Sequence, residues 1–243
     1  MIERFADLMD RTFSAAEREV IYRLIRSRRD IRQFAPDPVP PEALLRILEA
    51  AHHAPSVGFM QPWNFILITS SRLRTQIKAL FEEINVGEAH RVTDRSRQRL
   101  YRSLKLEGLL ESPMNLAVTC DRRRGKPFVL GRTPVPDTDI FSTCLAIQNM
   151  WLAACAEGIG IGWVSILDYG KVERLLGLPD GVQLIAYLCI GFPREFRARP
   201  MLEEVGWRSR MAVQKLIYQD VWGQPCEWLP TELMVPNSED EQP

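Results

Sequence analysis

The chain has 243 residues, of which 46% are hydrophobic and 26% charged, the make-up of an ordinary globular protein with room for a sizeable core. Lysine plus arginine and aspartate plus glutamate each number 31, so the net charge is zero. That excludes a general electrostatic pull toward nucleic acid or a membrane surface, and any basic site must be local.

The start, MIERFADLMDRTFS, is amphipathic and charged, unlike a secretory signal. Ser14-Ala-Ala-Glu17 is a capping-box pattern, and Val20, Ile21, Leu24 and Ile25 then repeat at helical spacing, predicting a helix that runs into Arg28-Arg29. Asp37-Pro-Val-Pro-Pro41 reads as a loop and helix start, followed by the amphipathic helix EALLRILEAAHHA, which Pro55 ends. NFILIT is a short buried strand, and SRLRTQIKALFEEIN a helix with Leu73, Ile77, Leu80 and Ile84 on one face. Residues 88–111 are strongly basic with scattered leucines and read as exposed helix; a lid and a solvated surface helix both fit that composition. MNLAVTC is a strand, and RRRGKPFVLGRTPVPDTD a long loop broken by proline and glycine, suited to a lid or a subunit contact. IFSTCLAIQNMWLAACAEG reads as an almost wholly buried helix closed by Gly158. GIGWVSIL is a strand, KVERLLGLP a short helix and VQLIAYLCIGFP a central strand. The longest apolar runs, such as LIAYLCIGF, are about half of the roughly 20 residues a membrane span needs. The acidic tail, 236–243, is expected to be disordered. With no repeat and no clear linker, 1–243 is expected to form a single α+β domain.

The five cysteines contain no C-x-x-C pair, and four lie in apolar segments, so buried free thiols in a reducing cytoplasm are expected. Of three histidines two are adjacent, which diverge on a helix, and no metal site is expected.

Four segments could carry chemistry. Arg28, Arg29 and Arg32 lie within five residues around Asp30, where a helix gives way to a loop. Guanidinium groups bind phosphate bidentately, so the run suits a phosphate; a solvated basic helix end suits it too. APSVGFMQPWNF combines turn formers with Met60, Trp63 and Phe65, and with Ser56, Gln61 and Asn64. A flat heteroaromatic ligand needs apolar faces to stack on and polar groups at its edge; alternatively Trp63 and Phe65 enter the core with the strand. GIGIGW, from Gly158 to Trp163, invites a dinucleotide reading, but its glycine spacing and its helix-to-strand order are both wrong for one. Gly158 fits a helix C-cap, while Gly160 and Gly162 would let something flat come close, with Trp163 and Ser165 beside it. Gly206-Trp-Arg-Ser-Arg210 could close a phosphate site from the far end of the chain, or be a solvated face.

In this order and spacing, the R-R-x-x-R motif, the P-S-x-x-x-x-Q-P-W loop, GIGIGW and the late basic pair resemble the FMN-dependent nitroreductase family over about residues 14–223. Asp30, where family members tend to carry serine, and Val57-Gly58-Phe59-Met60 are similar to a branch that consumes its flavin. The resemblance implies a nitroreductase-like α+β fold with a mixed central sheet flanked by helices, and a homodimer with FMN at the subunit interface. It implies that Arg28, Arg29, Asp30, Ile31 and Arg32, with Arg208 or Arg210, meet the flavin phosphate and ring edge. It implies that Ser56, Met60, Gly162, Trp163, Ser165 and Leu167 line the isoalloxazine pocket. Reduced FMN would then be the substrate and O2 the co-substrate, with 5,6-dimethylbenzimidazole, the lower ligand of cobalamin, and erythrose 4-phosphate as products. Asp30 would move protons and Ser165 would hydrogen-bond at the flavin; an Asp that only neutralises and orients its arginines is the other role open to Asp30. A separate NAD(P)H flavin reductase would supply the reduced flavin. An ordinary nitroreductase or flavin reductase, and a non-catalytic flavin-binding protein, are the alternatives.

Overall fold

A computed structural model describes residues 12–226, and its centre is a four-stranded sheet. The strands are β1 (Trp63–Ile68), β2 (Met114–Asp121), β3 (Gly160–Trp163) and β4 (Val182–Gly191), in the order β1-β2-β4-β3. All three pairings between them are antiparallel. The parallel component is a single bridge, Asp30 to Ile161, at the β3 edge. β4 is inner and almost continuously buried, as its unbroken apolar run predicts.

Period-two alternation divides the sheet residues between two cores. Trp63, Leu116, Val118, Cys120, Leu188 and Ile190 face one, with α2 (Pro41–His52) and α5 (Thr138–Ala156) packed over them. Ile68, Ala117, Tyr187 and Cys189 face the other, covered by α3 (Ser71–Arg91) and α6 (Tyr169–Leu176). The register shifts between Val118 and Thr119, where β4 carries one extra residue.

α1 (Ala15–Ser27) starts at the expected capping box: Glu17 N donates to Ser14 Oγ at 3.3 Å, and Ser14 N to Glu17 Oε2 at 2.7 Å. Asp94 breaks the basic stretch by capping α4 (Arg95–Ser103), accepting from Arg97 N at 2.8 Å. Residues 88–111 are therefore not one exposed helix. After Leu104 the chain turns inward, with Leu109 fully buried and the Glu107 carboxylate held by Lys78, Lys105 and the N–H of Leu109.

The expectation of an almost wholly buried α5 is also corrected. Phe141 is 56% and Leu145 48% exposed, and Cys144 is exposed between them. These positions share one helical face, and no described residue covers it. All five cysteines are free, but only Cys120 and Cys189 are buried.

The chain divides into two compact units, one ending at Ala198 and one starting at Arg199. The second holds a short helix, α7 (Met201–Glu204), a 3-10 turn at Val213–Leu216 and a bridge from Tyr218 to Pro225. The tail expected to be disordered, 236–243, lies outside the described residues. Among the described residues, no helix is long and apolar enough to cross a membrane.

Candidate functional site

After α1 the chain runs extended past the edge of β3. Ile31 N donates to Ile161 O at 3.0 Å. β3 admits this neighbour because of its glycines: a Cβ on Gly160 would sit 2.6 Å from Ile31 Cγ1, and one on Gly162 would overlap the Ile31 carbonyl oxygen. Gly158 is the helix cap foreseen from the sequence, at φ +72°. The flat object that Gly160 and Gly162 accommodate is thus the backbone of the R-R-x-x-R segment.

This approach gathers Asp30, Ile31, Arg32, Gly162 and Trp163 at one place. Oδ1 of Asp30 accepts the Trp163 N–H at 3.0 Å, and Oδ2 accepts Nη2 of Arg32. The Asp30 side chain is 40% exposed on its open side, but protein atoms crowd the carboxyl elsewhere. That crowding pushes its pKa above the ordinary carboxylate value, against the pull of Arg32, the Trp163 N–H and Arg28. Nη1 of Arg32 is buried and has no hydrogen-bond partner among the described residues.

The three arginines do not converge. Arg28 lays its guanidinium 4.7 Å from the centre of the Trp151 ring. Arg29 turns away and donates to the carbonyls of Arg26, Arg28, Arg197 and Ala198. Its donors are spent on holding α1 to the 197–198 segment. Arg208 and Arg210 are exposed in an irregular stretch of the second unit.

Beyond β3, Ser165 is exposed and Leu167 is buried. The Trp163 indole donates to the Tyr169 hydroxyl at 3.1 Å, and burial raises the Tyr169 pKa. The Trp151 indole donates to Arg29 O at 3.1 Å, with its ring 6.4 Å from that of Trp163. Asp30 therefore stands beside a small aromatic wall.

The turn before β1 forms a second group. Trp63 enters the core and donates to His52 Nδ1 at 3.2 Å. Met60 is buried, whereas Phe59 is 81% exposed. Phe59 and Gln61 adopt φ of +53° and +48°, left-handed backbone that costs a non-glycine residue roughly 1–2 kcal/mol. Ser56 holds the turn from within, its Oγ accepting Gln61 N at 2.9 Å, and Ser142 Oγ accepts Val57 N at 3.1 Å.

The long loop holds the same turn from outside. Arg124 donates to Gln61 O, to Trp63 O at 3.0 Å and to the Asn64 side chain. The loop itself is pinned by Asp139, a fully buried carboxylate that accepts Nε of Arg122 at 3.2 Å and Nη2 of Arg132 at 2.6 Å. Arg124, Ser142 and Tyr169 were not singled out from the sequence. The run Arg122-Arg123-Arg124 was visible, but its partners lie in other segments.

A 5,6-dimethylbenzimidazole synthase from Rhodospirillum rubrum is 42% identical over 198 residues, 82% of this chain and 93% of that protein. One from Rhodobacter capsulatus is 36% identical, covering 83% of this chain and 97% of that protein. Among solved structures, an iodotyrosine deiodinase bound to FMN and 3-iodo-L-tyrosine superposes with a TM-score of 0.62 at 26% identity, over 72% of this chain and 91% of that one. The family model described as "Nitroreductase family" matches residues 25–192, from the end of α1 through β4, and on that match the chain belongs to the nitroreductase family.

Proposed function

We propose that this protein is a 5,6-dimethylbenzimidazole synthase, fragmenting reduced FMN with O2 to 5,6-dimethylbenzimidazole and erythrose 4-phosphate. The observation that carries this reading is the Asp30 carboxyl, fixed by Trp163 and Arg32 at the β3 edge where other family members are expected to carry serine. Its support is the likeness to two synthases over more than nine-tenths of their length.

The residues fit a flavin. The buried, unpartnered Nη1 of Arg32 calls for an acceptor, which a flavin ring edge or phosphate has. Arg28, Ile31, Gly162, Trp163 and Leu167 would complete that side of the pocket, and Ser56 and Met60 a second wall. Arg29 would act through the backbone it holds. The flavin would supply the product skeleton, its ribityl C1′ becoming the imidazole carbon as the C1′–C2′ bond breaks. Asp30, whose pKa crowding raises, would give and take the protons that this cleavage needs. Ser165 would hydrogen-bond at the reacting edge.

The reading includes a homodimer in a cytoplasmic setting, with a separate reductase supplying the reduced flavin. Exposed apolar side chains on α1 (Val20, Ile21, Ile25) and α5 (Phe141, Leu145) support the dimer. The test is to incubate the protein with FMN, NADH, a flavin reductase and air, and to look for 5,6-dimethylbenzimidazole by mass spectrometry. Its appearance, and its loss in Asp30→Asn, is expected. FMN returning intact through repeated cycles would overturn the reading, and NADH oxidation without the added reductase would mark an ordinary flavin reductase instead.

A further inference from the structure

Arg32 has two roles in one guanidinium. Nη2 pairs with Asp30, while Nη1 is buried without a partner beside Gly162, 3.3 Å from where a Cβ would stand on that glycine. A buried donor left unpaired costs about 1–3 kcal/mol, so an incoming acceptor is favoured at this atom. The acceptor that completes Nη1 would therefore share its arginine with Asp30.

The groups facing Asp30 make that sharing matter. From its own segment they are Arg32 and Arg28; from β3 it is the Trp163 N–H. From α6 the Tyr169 hydroxyl stands behind the Trp163 indole, one hydrogen bond further out. Both cations that favour an ionised Asp30 thus belong to the segment expected to hold the flavin. An acceptor at Nη1 draws part of the Arg32 charge away from Asp30, and the negative charge of the FMN phosphate adds its own repulsion; both effects favour the neutral carboxyl.

We propose that Arg32 is a positioning residue shared between Asp30 and the bound flavin, so that flavin binding is coupled to the uptake of a proton by Asp30. The inference rests on the flavin reading above. The proton comes from solvent, no bond in the flavin changes, and the carboxyl is loaded as an acid before any cleavage. In the empty site Arg32 keeps the same group closer to its ionised form.

The test is calorimetric titration of the full chain with oxidised FMN, in two buffers of different ionisation enthalpy, at mildly acidic and neutral pH. The difference in heat gives the protons bound per FMN. We expect net uptake approaching one proton per site in part of that range, and its loss, counted per FMN bound, in Asp30→Asn. FMN binding with no proton uptake throughout the range overturns the coupling, as does uptake that survives in Asp30→Asn, or no FMN binding at all. The wild-type proton count decides the matter even if the variant fails to fold. Oxidised FMN is not turned over in this experiment, so the synthase reading is judged separately. Benzimidazole formed without proton uptake removes the coupling alone, and proton uptake without benzimidazole removes the synthase reading alone.

Discussion

The backbone N–H of Trp163 and the carboxylate of Asp30, 133 residues apart in the chain, meet in a 3.0 Å hydrogen bond. It fixes one carboxylate oxygen while Arg32 holds the other, so the carboxyl has a defined orientation before any ligand arrives. Crowding nevertheless raises its pKa, which means that folding favours the neutral form. The stabilising contribution of this group is complete at low pH and is lost as pH rises through its folded value; above that, ionised Asp30 weighs against the fold. Asp30→Asn is uncharged at every pH. It is expected to raise the Tm of the flavin-free protein slightly at neutral pH, with the gain fading toward acid. Thermal unfolding at the two conditions checks this, and a lower Tm at neutral pH would mean that the two donors outweigh the crowding.

Gly162 and Gly158 are expected to answer the same substitution differently. Gly158→Ala meets no atom within 4 Å but must hold φ near +72°, at a cost of about 1 kcal/mol with FMN affinity unchanged. Gly162→Ala drives a methyl into the Ile31 carbonyl and must push the Asp30–Arg32 segment off β3. A loss of about 1–3 kcal/mol in stability, with FMN affinity at least roughly tenfold weaker, is expected. Urea unfolding and fluorescence titration with FMN read the two effects.

Arg124 is expected to act on the flavin through the turn it holds. It is the long loop's clamp on the strained Phe59–Gln61 backbone, bonded to two carbonyls and the Asn64 side chain. Arg124→Gln should weaken FMN binding roughly five- to twentyfold, about 1–2 kcal/mol, with partial rescue by Arg124→Lys. Unchanged affinity would mean that the Ser56 bond alone holds the turn.

Asp139 is expected to dominate the stability of the loop. Asp139→Asn keeps the shape but removes the buried charge that Arg122 and Arg132 share. Breaking such a pair costs about 3 kcal/mol here, at the low end because both arginines are partly exposed, and should lower Tm by about 6–12 °C. Differential scanning of the flavin-free protein measures it.

The local features were legible from the sequence because their causes are local. The Ser14–Glu17 cap starts α1, Pro41 starts α2, Gly158 closes α5, and the unbroken apolar run of 184–191 becomes the buried part of an inner strand. The motif residues Asp30, Arg32, Gly162 and Trp163 were chosen from the pattern, and the fold brings them together. Trp63 takes the second of the two places its segment allowed, the core, because it opens the short, mostly apolar strand β1.

What the tertiary structure decided was which partner each group finds. Arg29 matches its neighbours in type, yet its donors go to carbonyls as far as 169 residues away. Gly160 and Gly162 signalled a close approach without naming the segment that approaches. The long loop looked free in composition, but Arg122, Arg124 and Arg132 anchor it to groups that sequence spacing does not relate. The inward turn at Leu109 and the exposed face of α5 likewise depend on which surfaces the packing covers. Periodicity and caps are settled within a few residues of chain, whereas a guanidinium, a buried carboxylate or a missing Cβ takes its meaning from atoms that only the folded topology brings within reach.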